Sequence, residues 1–387
     1  MGVSSTVQAV GAFPRNKGLA PFTPKACEGI GRGLKVIPIP KAVLTADHHG
    51  RPACHYCGPC WQGCDSGSKF DSLRVFVLAA QNTGRLHLIP NARVRHLEAG
   101  PDGQLKTVHY FGTEKRAWQE LRAKAFVLCP GAIESAHILL NSKMANSSGL
   151  VGRYLSEHLY ASVSAHLPQL MGRKIANEDG SGLYSFIPDC TKNWRGTKFI
   201  RGYQIFPMGG AGEFTLVGNQ IPGNGTDWME AIRNYSTAGV SLMFQGEVLR
   251  YRDNRIELDP VLKDDAGIPA PTYFYEWHGN ERAMFKDMIE VGNEILHKAG
   301  AEMLPNRNPH EYGHSIHDVG TARMGKDPRN SVTNPWNQSH DVPNLFVNDG
   351  APFVTAGNQN PTLTILAFAL RSSERMVRLM QNNTWTD

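Results

Sequence analysis

Apolar positions repeat at helical spacing in several stretches of the chain. Met284, Met288, Val291, Ile295 and Leu296 mark one face of a helix over residues 280–299. Within AKAFVLCPGAIESAHILLNS, from Ala123 to Ser142, a short apolar strand reaches a turn at Gly131 and Ala132. It continues as a helix with Ile133, Ala136, Leu139 and Leu140 on one side. A final helix is expected over 362–380, and a shorter one over 71–81 with Asp71 as its cap.

Strand patterns fill much of the remainder. Apolar runs at 35–44, 86–89, 94–97 and 107–111 are broken by turn formers, among them PDGQ at Pro101 to Gln104. From about Tyr160 to Tyr275 the helical signal fades, and short strands are expected at 160–167, 203–206, 240–245, 255–258 and 272–277, with one more at 344–347. The pattern predicts a mixed α/β (α+β) protein. Residues 155–300 read as a second, sheet-rich domain set between residues 1–154 and 301–387. The 387 residues agree with that division, since single cores rarely grow past about 250 to 300 residues.

Composition excludes little, but it does narrow the class. With 41% hydrophobic and 19% charged residues the chain has no signature of disorder. Its formal charge of +5 comes from 40 basic and 35 acidic residues spread along the chain, with no basic run of the kind that binds nucleic acid. No stretch approaches the roughly 18 consecutive apolar residues that a membrane helix needs.

Candidate chemistry gathers near the C-terminus. HSIHDVGTARMG, from His314 to Gly325, sets histidines beside small residues that permit close approach to something flat or anionic. In NLFVNDGAPFVTAGNQNPTLTILAFAL, from Asn344 to Leu370, a strand ends at Asp349 and Gly350, and Asn360 and Pro361 open an apolar helix. Pro361 suits a first helical position, because its missing N–H would be unpaired there. The positive end of that helix would favour negative charge on a group docked against it. The turn at Gly131 and Ala132, leading into a helix N-terminus, is another place where a phosphate could sit; it is equally an ordinary strand–helix unit.

These two C-terminal segments resemble the glucose–methanol–choline (GMC) oxidoreductase family, and the resemblance runs the length of the chain. It implies an FAD-binding Rossmann-like domain and a substrate domain, with oxidation of a CH–OH group on a small alcohol or sugar. It further implies that His317 and Asn360, about forty residues apart, face the flavin. Asp349 and Gly350 would hold its pyrophosphate and ribityl chain, Thr362 would lie near its pyrimidine edge, Gly131 and Ala132 would form the cofactor-proximal turn, and Val94 would meet the adenine. Elementary chemistry asks for the same residue types. Moving a hydride from a carbinol carbon leaves a carbonyl only if the hydroxyl proton also departs to a base. His317 can take that proton, and a carboxamide such as Asn360 can orient the oxygen. The electron acceptor would be oxygen, a quinone or a cytochrome.

Two further features bear on this resemblance. CHYCGPCWQGC, from Cys54 to Cys64, has the cysteine spacing of a bacterial ferredoxin run, but Asp65 stands where proline usually follows. It reads either as a cluster or zinc site or as a structural loop before Gly67 and Lys69, and no metal ligand is assigned. The GxGxxG turn that opens the family's nucleotide-binding domain is also not found, since Gly29, Gly31 and Gly33 have the wrong spacing. The expectation is therefore a chain truncated at its N-terminus with an incomplete FAD-binding domain. The alternatives are an inactive fragment or binding module, and an electron-transfer protein built on the cysteines.

Overall fold

The computed structural model describes residues 34, 36–38, 41–55, 60, 63–171, 185–188, 198–209, 221–236, 238–304 and 317–385. Thirteen strands and five α-helices among them form a mixed α/β protein with two hydrophobic cores. In chain order these elements are β1 (Ile37–Pro38), α1 (Leu78–Asn82, entered through a π-helical turn at Leu73–Val77), β2 (Ala92–Ala99), β3 (Leu105–Gly112), β4 (Ala117–Arg122), β5 (Phe126–Leu128) and α2 (Ala132–Asn141). Next come β6 (His158–His166), β7 (Ser185–Phe186), β8 (Tyr203–Gly209), α3 (Gly225–Ser236), β9 (Gly239–Glu247), β10 (Arg255–Lys263) and β11 (Pro269–Phe274). The last are α4 (Gly279–Lys298), β12 (Glu302–Met303), β13 (Leu345–Val347) and α5 (Thr362–Gln381).

The first core lies between α4 and an antiparallel sheet of order β12-β6-β9-β8. Strand alternation decides which side chains enter it. Leu159, Ala161, Val163 and Ala165 of β6 and Val240, Leu242 and Phe244 of β9 point toward the helix and are almost wholly buried. Met284, Met288, Val291, Ile295 and Leu296 answer from α4, as their periodicity predicts. Glycines set the spacing between the layers. A Cβ at Gly292 would lie 2.7 Å from Val163 Cγ2, and one at Gly246 would lie 2.6 Å from Met284 Sδ.

Across the same sheet, Tyr160 pairs in register with Gln245, Gln245 with Gln204, and His158 with Glu247. These residues fall on the parity opposite to the core positions, so this end of the sheet's second face is polar.

The second core is built on two parallel strands, β13 and β5, with Leu345 opposite Phe126 and Val347 opposite Leu128. Helix α2 covers them, and the meander β2-β3-β4 packs beside it. Strand β10 also rests on α2, and Ile256 joins this core, so the polypeptide passes between the two cores more than once. No helix among the described residues is long and apolar enough to cross a membrane.

Several expectations need adjusting. Residues 86–89 form no strand: Leu86, Leu88 and Ile89 are exposed, and an apolar run without a neighbour to pair its backbone does not make one. Strand β4 and helix α3 carried too little apolar periodicity to be read; β4 exists through its six-residue pairing with β3. Asp71 does cap its helical turn, accepting the Arg74 N–H at 2.8 Å. Pro361 stands one position earlier than expected, as the cap before α5, its carbonyl accepting the first helical bond from Ile365 at 2.9 Å.

Filling one of these close helix–sheet contacts should be costly. Gly292→Val is expected to lower stability by about 1–3 kcal/mol, read as an earlier urea midpoint with unchanged slope.

Candidate active site

The segment 317–325 owes its path to backbone pairing with the loop after β13. The N–H of Gly320 donates to Gly350 O at 3.0 Å, that of Ala322 to Ala351 O at 3.0 Å, and that of Met324 to Pro352 O at 2.8 Å. On its other side Ser156 and Val319 exchange backbone hydrogen bonds. Glycine is required at two of these positions because of this crowding. Gly320 has φ +87° and faces the Tyr154 carbonyl, and a Cβ on Gly350 would lie 2.7 Å from the Asp318 carbonyl. The close approach foreseen for this segment is thus made in part to the protein's own backbone.

Two clusters of the expected residues result. The first is centred on the buried Asp349. One carboxylate oxygen accepts the Gly131 N–H at 3.1 Å and the Ser135 hydroxyl at 2.6 Å, and the other accepts the Ala351 N–H at 2.8 Å. Burial pushes this carboxyl above its ordinary range, and these donors pull against it. The start of α2, where a phosphate could sit, holds this carboxylate. Thr321 closes the cluster by donating to Ala132 O at 2.6 Å. Val94 stands apart on the edge strand β2, partly buried against the second core.

The second cluster holds His317 and Asn360. His317 Nδ1 lies 3.1 Å from the Tyr160 hydroxyl, which donates to Gln245 Oε1 at 2.7 Å. Gln245 Nε2 then donates to Asn360 Oδ1 at 3.1 Å and to Asn358 O at 2.9 Å. His158 completes the group, with Nδ1 2.9 Å from His317 Nδ1 and Nε2 2.9 Å from Gly357 O. The loop 357–360 is therefore held to the polar face of the sheet. Gln359 adds a bond to Gln204 at 2.5 Å, and Thr355 donates to Glu247.

Desolvation governs the charge state of this cluster. Burial lowers the pKa of His317. It carries His158 down to about 4, with His317 and Arg250 adding to the effect. Burial also raises the Tyr160 hydroxyl above its ordinary range. At neutral pH the site is a neutral imidazole pair beside a neutral phenol and two carboxamides.

His158, Tyr160 and Gln245 were not singled out in the sequence. Their signal was a polar residue at alternate positions of strands whose other positions are apolar, which marks a strand with one polar face but not what that face touches. His314, Cys57 and the glycines 29, 31 and 33 lie outside the described residues. Of the nearby cysteines, Cys54, Cys60 and Cys64 carry free thiols. Among the described residues no three His, Cys, Asp or Glu side chains gather in a way that would hold a metal ion.

Two family profiles, both described as GMC oxidoreductase, match residues 8–160 and 250–369. A 2-methyl-1,2-propanediol dehydrogenase of Mycolicibacterium austroafricanum is 31% identical over 354 residues, covering 88% of this chain and 63% of that protein. The fructose dehydrogenase large subunit of Gluconobacter japonicus is 27% identical over 356 residues, covering 89% and 63%. The chain thus spans about 63% of the length of these curated relatives. Among solved structures, pyridoxine 4-oxidase from Mesorbium loti matches with TM-score 0.63 at 16% identity, over 95% of this chain and 71% of that one, which shows a shared fold.

An unfolded imidazole takes up a proton near pH 6.5, whereas folded His158 does so only near 4. Across that window the unfolded chain binds more protons, so stability is present above it and is lost as pH falls through it. The melting temperature is expected to drop between pH 6.5 and 4, and less steeply in His158→Gln. His137, whose pKa the Glu134 carboxylate raises, works in the opposite sense, so the difference between parent and variant is the quantity to read.

Proposed function

The chain belongs to the GMC oxidoreductase family, and from that premise we propose that it carries the catalytic centre of an FAD-dependent enzyme oxidising a CH–OH group of a small alcohol or sugar. His317 is the base, Asn360 the donor to the reacting oxygen, and residues 155–300 supply the substrate side of the site. One observation carries this reading. Two residues distant in the chain, an imidazole and a carboxamide, are joined by only two intervening side chains, Tyr160 and Gln245.

The residues present suit a flavin at the start of α5. That 20-residue helix has no side-chain cap, and Asn360 and Thr362 are exposed there, so its first-turn N–H groups and positive dipole end face outward. A flavin bound at that end would accept the hydride. Asp349, Gly350, Gly131 and Ala132 are assigned to the dinucleotide side, where the buried carboxylate shapes the turn, and Val94 to the adenine end.

The protein's own part is proton handling and orientation. His317, kept neutral by burial, can accept the hydroxyl proton as the carbinol carbon is oxidised. The carboxamide of Asn360 orients the oxygen without competing for that proton. Exposed Gln359 and half-buried Tyr160 give the neighbouring wall hydrogen-bonding groups suited to a hydroxylated substrate, and buried Gln204 and Gln245 hold them in place. The names of both relatives, a diol and a sugar dehydrogenase, agree with that class.

In flavin-loaded protein, His317→Ala is expected to slow flavin reduction by substrate by at least about 100-fold while the flavin stays bound. Stopped-flow absorbance checks both points, and an unchanged reduction rate would remove His317 from the role.

A further inference from the structure

Two backbone carbonyls fix the direction of the hydrogen bonds around His317, because a carbonyl can only accept. The Asn358 carbonyl lies 2.9 Å from one end of the Gln245 carboxamide, so that end is the NH2 group and the other is the oxygen. The Tyr160 hydroxyl, 2.7 Å from that oxygen, must donate to it. With its single proton committed, Tyr160 meets His317 Nδ1 at 3.1 Å as an acceptor, and a hydrogen bond forms there only if Nδ1 carries the proton.

The second carbonyl gives the same answer by a separate route. His158 Nε2 is 2.9 Å from Gly357 O and so carries a proton. Burial keeps His158 neutral, which leaves a lone pair on its Nδ1. His317 Nδ1, 2.9 Å away, must then be the donor. Its one hydrogen is shared between His158 and Tyr160, a three-centre arrangement. In a neutral imidazole, a proton on Nδ1 puts the basic lone pair on Nε2.

Gln245 settles the other partner too. Its Nε2 donates to Asn360 Oδ1 at 3.1 Å, so the NH2 group of Asn360 is the donor that remains. Turning the Gln245 amide over would set its oxygen against two acceptors, Asn358 O and Asn360 Oδ1, and its nitrogen against the Tyr160 hydroxyl. One amide therefore orients both residues, and its register with Tyr160 across β6 and β9 is a property of the sheet.

We propose that Gln245 is a positioning residue: through Tyr160, and with His158 as second acceptor, it holds the His317 proton on Nδ1, and through its own NH2 it turns Asn360 to present an N–H donor. This rests on the reading of His317 as base and Asn360 as oxygen donor.

The tautomer can be read without flavin. In the full chain labelled with 15N-histidine, the His317 resonances, assigned by their loss in His317→Gln, should show a protonated Nδ1 and an unprotonated Nε2 at pH 7.5. A protonated Nε2 or an even mixture would overturn the proposal. In Gln245→Met the Tyr160 hydroxyl loses its acceptor and can turn its proton toward His317, so the Nε2-protonated form should grow. A tautomer unchanged in a folded Gln245→Met chain would also overturn it. In flavin-loaded protein, Gln245→Met should lower kcat and kcat/KM together by about 10–100-fold, and kinetics equal to the parent's would count against it. If the tautomer is as stated but His317→Ala reduces its flavin at the parental rate, the positioning stands and the assignment of the base fails.

Discussion

A single buried carboxylate closes this fold. Asp349, two residues past the end of β13, reaches the start of α2, more than two hundred residues earlier in the chain, where the Gly131 N–H and the Ser135 hydroxyl converge on it. Isolating a charge from water is expensive, and the cost is met only when several donors surround it. Here three do, one of them the Ala351 N–H that follows Asp349 itself. With β13 locked to α2, the loop beyond β13 has a fixed course, and the segment 320–324 can pair with it residue by residue. The position of His317 is a consequence of that pairing.

The sheet supplies the opposing surface. Its α4 side is filled by apolar side chains at nearly complete burial, so the register of β6, β9 and β8 cannot slip without turning that set outward. Tyr160, Gln245 and Gln204 occupy the alternate parity and inherit the same fixed register. The core therefore positions the polar face. A well-packed layer of Leu, Val and Phe on one side gives the site its precision on the other.

Much of this was legible in the chain. The long helices followed from apolar spacing at Met284, Met288, Val291 and Ile295, and the strand before Asp349 from its apolar run. His317 and Asn360 stood out because each sits in a motif with a chemical reason. What stayed hidden depended on tertiary pairing. Strand β4 has hardly an inward residue and exists through β3. Gln245 looked like one polar residue in an apolar strand, and only the loop 357–360 folding over it gives it a task. The crowding of the glycines at 320 and 350 against Tyr154 and Asp318 was also out of reach, since it exists only once the segments pair.

The polar groups on the sheet suit the role proposed for His317, that of an imidazole base. A carboxylate beside His317 would favour the imidazolium and leave a proton where an acceptor is wanted. Carboxamides and a phenol can direct hydrogen bonds just as sharply without contributing charge. Glu247, the carboxylate on the same face, is engaged by the Thr355 hydroxyl and lies 3.7 Å from the Arg201 guanidinium. Neutral donors and acceptors nearest His317, with Glu247 held against Thr355 and Arg201, let burial set the protonation state of the imidazole while the hydrogen bonds set its orientation. The two demands that the proposed role makes on His317, being unprotonated and being aimed, are met by separate physical means.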